Sequence, residues 1–209
     1  MRSEHRTIAH MNDHPIRLVV NDDLRRSRLT VFFRALLVIP HYIVLVLWAI
    51  AAYVVLLINW FATLFAGKSP DGLHNFLANF LRYATRVAAY YSLLADPYPP
   101  FGAAGTYVVD LEVDPPQPQS RLVTFFRAIL VIPAYIVASV LGALLGIITL
   151  IAWFVCLFTG KMPQGMEELG VYCLRYQQQM YAYYLLLTDR YPSFSAGSKE
   201  QIGAPTPVA

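Results

Sequence analysis

The residues best suited to chemistry are two duplicated sets of basic and phenolic side chains. Arg34 and Arg127 occupy the same Phe-Phe-Arg-Ala motif, each at the lead-in to a long apolar run. Arg82-Tyr83 and Arg175-Tyr176 recur in a Leu-Arg-Tyr motif further on. An ionisable residue at membrane depth is a functional candidate by default. Arg34, Arg127, Arg82, Arg175, Tyr83 and Tyr176 are therefore candidates for binding anionic lipid headgroups or a partner's carboxylate. The competing reading is structural. Interface arginines commonly snorkel, and Asp96 and Asp189 stand ready as internal partners.

Other chemistry is sparse. His5, His10 and His14 lie in a polar leader without a cysteine or carboxylate at metal-ligand spacing. His41 and His74 each stand alone. Cys156 and Cys173 form neither a zinc pattern nor a disulfide framework. No H-E-x-x-H, G-x-S-x-G, P-loop or dinucleotide-binding glycine motif occurs. The expectation is no catalytic residue, no metal, no cofactor and no enzymatic activity.

The elements that would position the arginines are set by charge distribution. Apolar residues make up 57% of the chain and charged residues 14%, where soluble chains average about 25% charged. Mean hydropathy is +0.47. Residues 35–67 and 128–160 contain no Lys, Arg, Asp or Glu. About 20 apolar residues suffice to cross a bilayer, so both runs are expected to be transmembrane helices. The formal charge of +3 resides in the first 34 residues. Arg17, Arg25, Arg26, Arg28 and Arg34 read as a basic segment beside a membrane, there to set orientation or to attract anionic lipid, and not as a nucleic-acid surface. The polar opening of the chain does not read as a cleaved signal peptide.

The chain is a tandem repeat at an offset of 93 residues. Aligning 27–101 with 120–194 without gaps gives 36 identities in 75 positions. Ser27-Arg28-Leu29, Val38-Ile39-Pro40, Trp60-Phe61 and Gly67-Lys68 all recur. With its blocks SRLTVFFRALLVIPHYIV and FAGKSPDGLHNFLANFLRYATRVAAYYSLLADPYPPF, and their second copies, the chain resembles domain-of-unknown-function family 4389. That resemblance implies a bacterial membrane protein, with one or two copies per chain, and no assigned activity or site residue. His41, His74 and Arg86 become Ala134, Glu167 and Gln179 in the second copy, so roles that need them are not shared.

The expected layout is a tail over 1–14, repeat 1 over 15–101, a linker over 102–119 that carries the first strand of repeat 2, repeat 2 over 120–194, and a tail over 195–209. Ile16 to Val20 and Val108 to Val113 alternate like short extramembrane strands. Ser27 and Ser120 sit at helix N-cap positions. A short amphipathic stretch then leads to Pro40 or Pro133, which are expected to kink the helix. Tyr42–Phe65 and Tyr135–Phe158 form the spans, closed by Gly67 and Gly160. Gly142 and Gly146 make a G-x-x-x-G step, read either as a close helix contact or as ordinary membrane-helix glycines. Second helices over 72–94 and 165–187 are amphipathic.

The fold class is thus an all-α membrane protein of two tandem repeats, each with a strand, a long Pro-kinked transmembrane helix and an amphipathic second helix. Two topologies fit. If only the long helices cross, the copies are inverted. If the second helices cross too, each copy is a hairpin and the copies are parallel; pairing of the two strands on one side favours this arrangement. The function expected is a non-enzymatic scaffold, accessory subunit or lipid-organising protein in the bacterial plasma membrane. Its partners would be lipids, a membrane protein or further copies of itself. The alternative is a small transporter or channel with a polar path between the repeats.

Overall fold

The computed structural model describes residues 14–194. The expected tails, with His5 and His10, lie outside the described residues, His14 excepted. Six elements follow in the order β1 (Ile16–Val20), α1 (Arg28–Ala66), α2 (Asp71–Tyr91), β2 (Val109–Val113), α3 (Arg121–Thr159) and α4 (Gln164–Tyr184). The architecture is helical, in two tandem copies, with one small sheet.

Each long helix is continuous over 39 residues, about 58 Å at 1.5 Å per residue. The expected amphipathic stretch and span are a single helix, and Pro40 and Pro133 lie inside it. Both helices end on a left-handed glycine, Gly67 (φ 74°) and Gly160 (φ 72°), whose N–H bonds back to Thr63 and Cys156. A side chain would be strained there, which is the reason for glycine. Ser120 caps α3 through its hydroxyl at the Val123 N–H, whereas Ser27 makes no such bond.

The copies are related by an approximate two-fold axis. β1 and β2 pair antiparallel, with Leu18 opposite Leu111, the same position of each copy. The Arg26 N–H donates to the Gly160 carbonyl at 2.9 Å, and its counterpart Gln119 donates to Gly67 at 2.8 Å. Trp60 Nε1 donates to the Thr124 carbonyl and Trp153 Nε1 to the Val31 carbonyl, both at 2.9 Å. The start of α1 therefore meets the end of α3, and the end of α1 meets the start of α3. The long helices run antiparallel. The parallel-hairpin arrangement that strand pairing favoured is not the one formed: the strands pair although the copies are inverted.

The shorter helices are antiparallel as well. Leu94, just past α2, packs on Gly170 near the start of α4, while Leu77 and Leu81 share a core with Leu185 at the other end. Three layers result. The sheet lies on α2 and α4, and these lie on α1 and α3. The second helices form the middle layer and are buried on most sides.

Candidate functional site

One narrow stripe of each long helix is buried. In α1 the buried positions are Val31, Arg34, Val38, His41, Ala52, Leu56, Asn59 and Thr63, at the three- and four-residue spacing of one helix face. The opposite face is exposed from Leu29 to Phe65 and is apolar throughout, through Phe33, Leu36, Ile43, Leu47, Ile50 and Phe61. α3 repeats this from Leu122 to Phe158. Isolated exposed leucines need no explanation, but a contiguous apolar face of this size marks an interaction surface.

Arg34 and Arg127 do not lie on that face. Arg34 is 2% exposed. It donates to the carbonyls of Tyr90 at 2.6 Å and Ala95 at 2.9 Å, meets Asp96 at 2.9 Å, and sits 4.3 Å above the Tyr90 ring. Arg127 repeats each contact with Tyr183, Thr188 and Asp189, and adds a bond to Gln119 Oε1. Each arginine closes the C-terminal end of the second helix of its own copy. Carbonyls there lack intrahelical partners, and a cation suits that end of the dipole. This is the internal pairing with Asp96 and Asp189, in both copies.

The turn beyond is held the same way twice. Leu93 and Leu186 adopt positive φ, 62° and 61°. Their carbonyls accept from Arg26 Nε at 2.8 Å and Gln119 Nε2 at 2.7 Å. Asp22 meets Arg26 at 3.0 Å. Burial nonetheless holds its carboxyl above the ordinary range, the attraction of Arg26 offsetting only part of the effect.

Arg82 and Arg86 turn toward the sheet. Arg82 donates to the Leu111 carbonyl at 3.0 Å. Arg86 is fully buried and holds the Ala104 and Gly105 carbonyls and Asp110. The polar stripe of the second helix thus serves the strand. Arg175 is half-buried beside the Tyr172 ring, at 5.3 Å. Tyr83 is buried and shares a 2.7 Å hydrogen bond with His41. Tyr176 is buried under Phe194. The six candidates therefore do not converge on one surface.

His74 donates through Nε2 to the Asp114 carbonyl at 3.1 Å, and burial lowers its pKa against that bond. Among the described residues no three His, Cys, Asp or Glu side chains are grouped to hold a metal. The glycine step is not a backbone contact. A Cβ on Gly142 would meet Gln177, and one on Gly146 would meet open space. Gly146 instead lines a cavity of about 350 Å³ with Ala35, Thr149, Leu150 and Trp153. A second cavity, of about 430 Å³, opens between Ala49, Tyr53, Phe80, Ala84 and Tyr181. Tyr53 and Gly146 are equivalent positions, but the two hollows are not: the second also takes in Ala84 with Gln177 and Ala88 with Tyr181, each a pair of equivalent residues, and so lies at the axis.

The basic residues that reach the rim of the apolar face are others. Arg28 extends over Gly160 and Arg121 over Gly67, with their Nε atoms 3.5 and 3.8 Å from where a Cβ would stand. Neither long helix has a basic residue in its own last turn, so each receives its C-terminal cation from the other copy. Arg25, Lys68 and Lys161 lie beside them, bridged pairwise as Arg25 with Lys161 and Lys68 with Pro118. All five are exposed. The signal was present in the sequence, in the Ser-Arg-Leu and Gly-Lys repeats. What it lacked was the antiparallel pairing that brings these motifs together.

No curated protein and no solved structure matches the chain. A family model, described as a domain of unknown function (DUF4389), matches residues 28–103 and again 121–196. The two matches are offset by the 93 residues of the internal repeat and cover most of the chain. The chain belongs to the DUF4389 family, as two tandem copies of its domain.

Proposed function

We propose that this chain is a non-enzymatic protein embedded in the bacterial plasma membrane, where it acts as a lipid-organising scaffold or accessory subunit. The observation that carries the reading is the apolar outer face of α1 and α3. Two helices are long and apolar enough to enter a membrane, with mean hydropathy of 2.5 and 2.6 in their most apolar windows and only 17% and 22% of those windows buried. A core helix of a water-soluble protein would be mostly buried. Water-soluble monomers rarely expose apolar patches beyond a few hundred Å².

The rim cations support contact with anionic headgroups, and the two hollows have mostly apolar walls suited to acyl-chain contacts, with Arg34 at one and Gln177 and Gln178 at the other. The transporter reading has less to build on. At the axis between the copies the larger hollow is lined by Gln177 and Gln178 but otherwise by apolar and aromatic side chains, and the Thr85 Oγ1–Gln178 Oε1 contact at 3.0 Å is set among buried leucines and alanines.

Membrane fractionation followed by gentle extraction and intact-particle mass spectrometry tests the proposal. The expected result is retention in the membrane after alkaline carbonate, with anionic lipid or a stoichiometric protein bound to the extracted particle. Release into the carbonate supernatant contradicts it.

A further inference from the structure

Resting on the membrane reading, the geometry points to a protein seated in one leaflet, with its long helices in the membrane plane instead of across it. The occupant of the apolar face is then the acyl layer of a single leaflet with anionic headgroups around it.

The first argument is length. The exposed apolar face runs from Leu29 to Phe65, about 54 Å of helix axis. The hydrocarbon core of a bilayer is about 30 Å thick. A straight helix of that length would need a tilt of about 60° to fit, beyond the range of about 0–40° seen for spans. A helix lying along the surface has no such limit.

The second argument is the axis. α1 and α3 run antiparallel, so the two-fold axis that relates them is perpendicular to both. The same axis passes through the Leu18–Leu111 pair and the Thr85–Gln178 contact. If α1 and α3 crossed the bilayer, the axis would lie in the membrane plane at mid-depth. The sheet, which sits on the axis, would then be at the bilayer centre. It has two strands and therefore two unpaired edges, which hydrocarbon does not tolerate. It also carries Arg17, Asp110 and Glu112, the last 56% exposed. Charges at that depth cost several kcal/mol each. With the helices in the plane, the axis stands along the membrane normal. The sheet then faces water, the second helices lie beneath it, and the apolar face meets lipid.

The third argument is the rim. Arg25, Arg28 and Lys161 gather at one end of the paired helices, and Lys68 and Arg121 at the other. In a crossing arrangement these clusters would lie on opposite sides of the membrane. In the plane, both ends of the face meet headgroups of one leaflet, and juxtamembrane cations are drawn to anionic lipid there. Amphipathic in-plane helices take the same layout, apolar face down and basic residues at the interface.

The test uses the full chain in its membrane, with Cys156 and Cys173 replaced by Ala and one cysteine introduced at a time as Lys68→Cys, Lys161→Cys or Ala104→Cys. Intact cells and inside-out vesicles are treated with a membrane-impermeant maleimide. All three positions are expected to label from the same side. Labelling of Lys68→Cys and Lys161→Cys from opposite sides overturns the inference and makes the long helices antiparallel spans. Labelling of both from the side opposite Ala104→Cys overturns it too, and with it the antiparallel pairing of the long helices. Both outcomes leave the membrane reading intact. A chain washed off by carbonate as a dimer sealed through its apolar faces overturns that reading itself.

Discussion

Leu18 and Leu111 hold the same position in the two copies and face each other at the centre of the antiparallel sheet. A residue paired with its own repeat counterpart marks a symmetry axis. From that pair follow the antiparallel long helices, the exchange of cations between their ends, and the placement of all exposed polar strand edges opposite the apolar face.

Arg34→Met and Arg127→Met should each destabilise the fold by about 3 kcal/mol, because each removal strands a carboxylate and two carbonyls. Thermal unfolding in detergent measures this. The ratio of anionic to neutral lipid that co-purifies should not change. A changed ratio with unaltered stability would restore these arginines as headgroup ligands.

The rim should behave in the opposite way. Replacing Arg28, Lys68, Arg121 and Lys161 by Gln should lower retained anionic lipid by about 1 kcal/mol per charge at low salt, about fivefold each. Stability in neutral detergent should fall only modestly, since these side chains are exposed and an exposed cation at a helix C-terminus contributes about 0.3–1 kcal/mol. Lipid mass spectrometry at two salt concentrations reads both effects.

Two glycines separate crowding from open space. Gly170→Ala places a Cβ 2.8 Å from Leu94 Cδ2, in a fully buried corner. It should cost about 1–3 kcal/mol by overpacking. Gly146→Ala meets nothing within 4 Å, and should be neutral or slightly stabilising in a helix. Unfolding midpoints of the two variants check the contrast.

Stability should fall in mild acid. Burial lowers the His14 pKa from 6.5 to about 4, and lowers that of His74 as well. A base whose folded pKa lies below its unfolded value binds fewer protons when folded. Its contribution is complete above pH 6.5 and is lost as pH falls through the window down to 4. For His14 the loss amounts to about 3 kcal/mol. A pH series of unfolding midpoints should flatten in His14→Gln if this residue is the cause.

Much of the fold was legible because local signals agreed. The Gly67 and Gly160 helix ends and the alternating strands each follow from residue type at a fixed position. The duplication doubled every signal. The orientation of the long helices was not legible. In α1, buried positions such as Val38 and Leu56 and exposed ones such as Leu36 and Leu57 are equally apolar, so hydropathy carries no record of which side faces lipid. The internal role of Arg34 was masked for a related reason. An arginine at the edge of an apolar run has the same local sequence whether it meets a phosphate or the end of a helix 56 residues away. Only the antiparallel packing of the copies decides, and that is a long-range property.

The orientation of the helices in a bilayer is the most direct measurement. Polarised infrared dichroism of the full chain in aligned bilayers containing anionic lipid reports the mean tilt of its helix axes. Axes close to the membrane plane are the predicted result. Axes within about 40° of the normal, the range of ordinary spans, would contradict single-leaflet seating and return α1 and α3 to transmembrane helices.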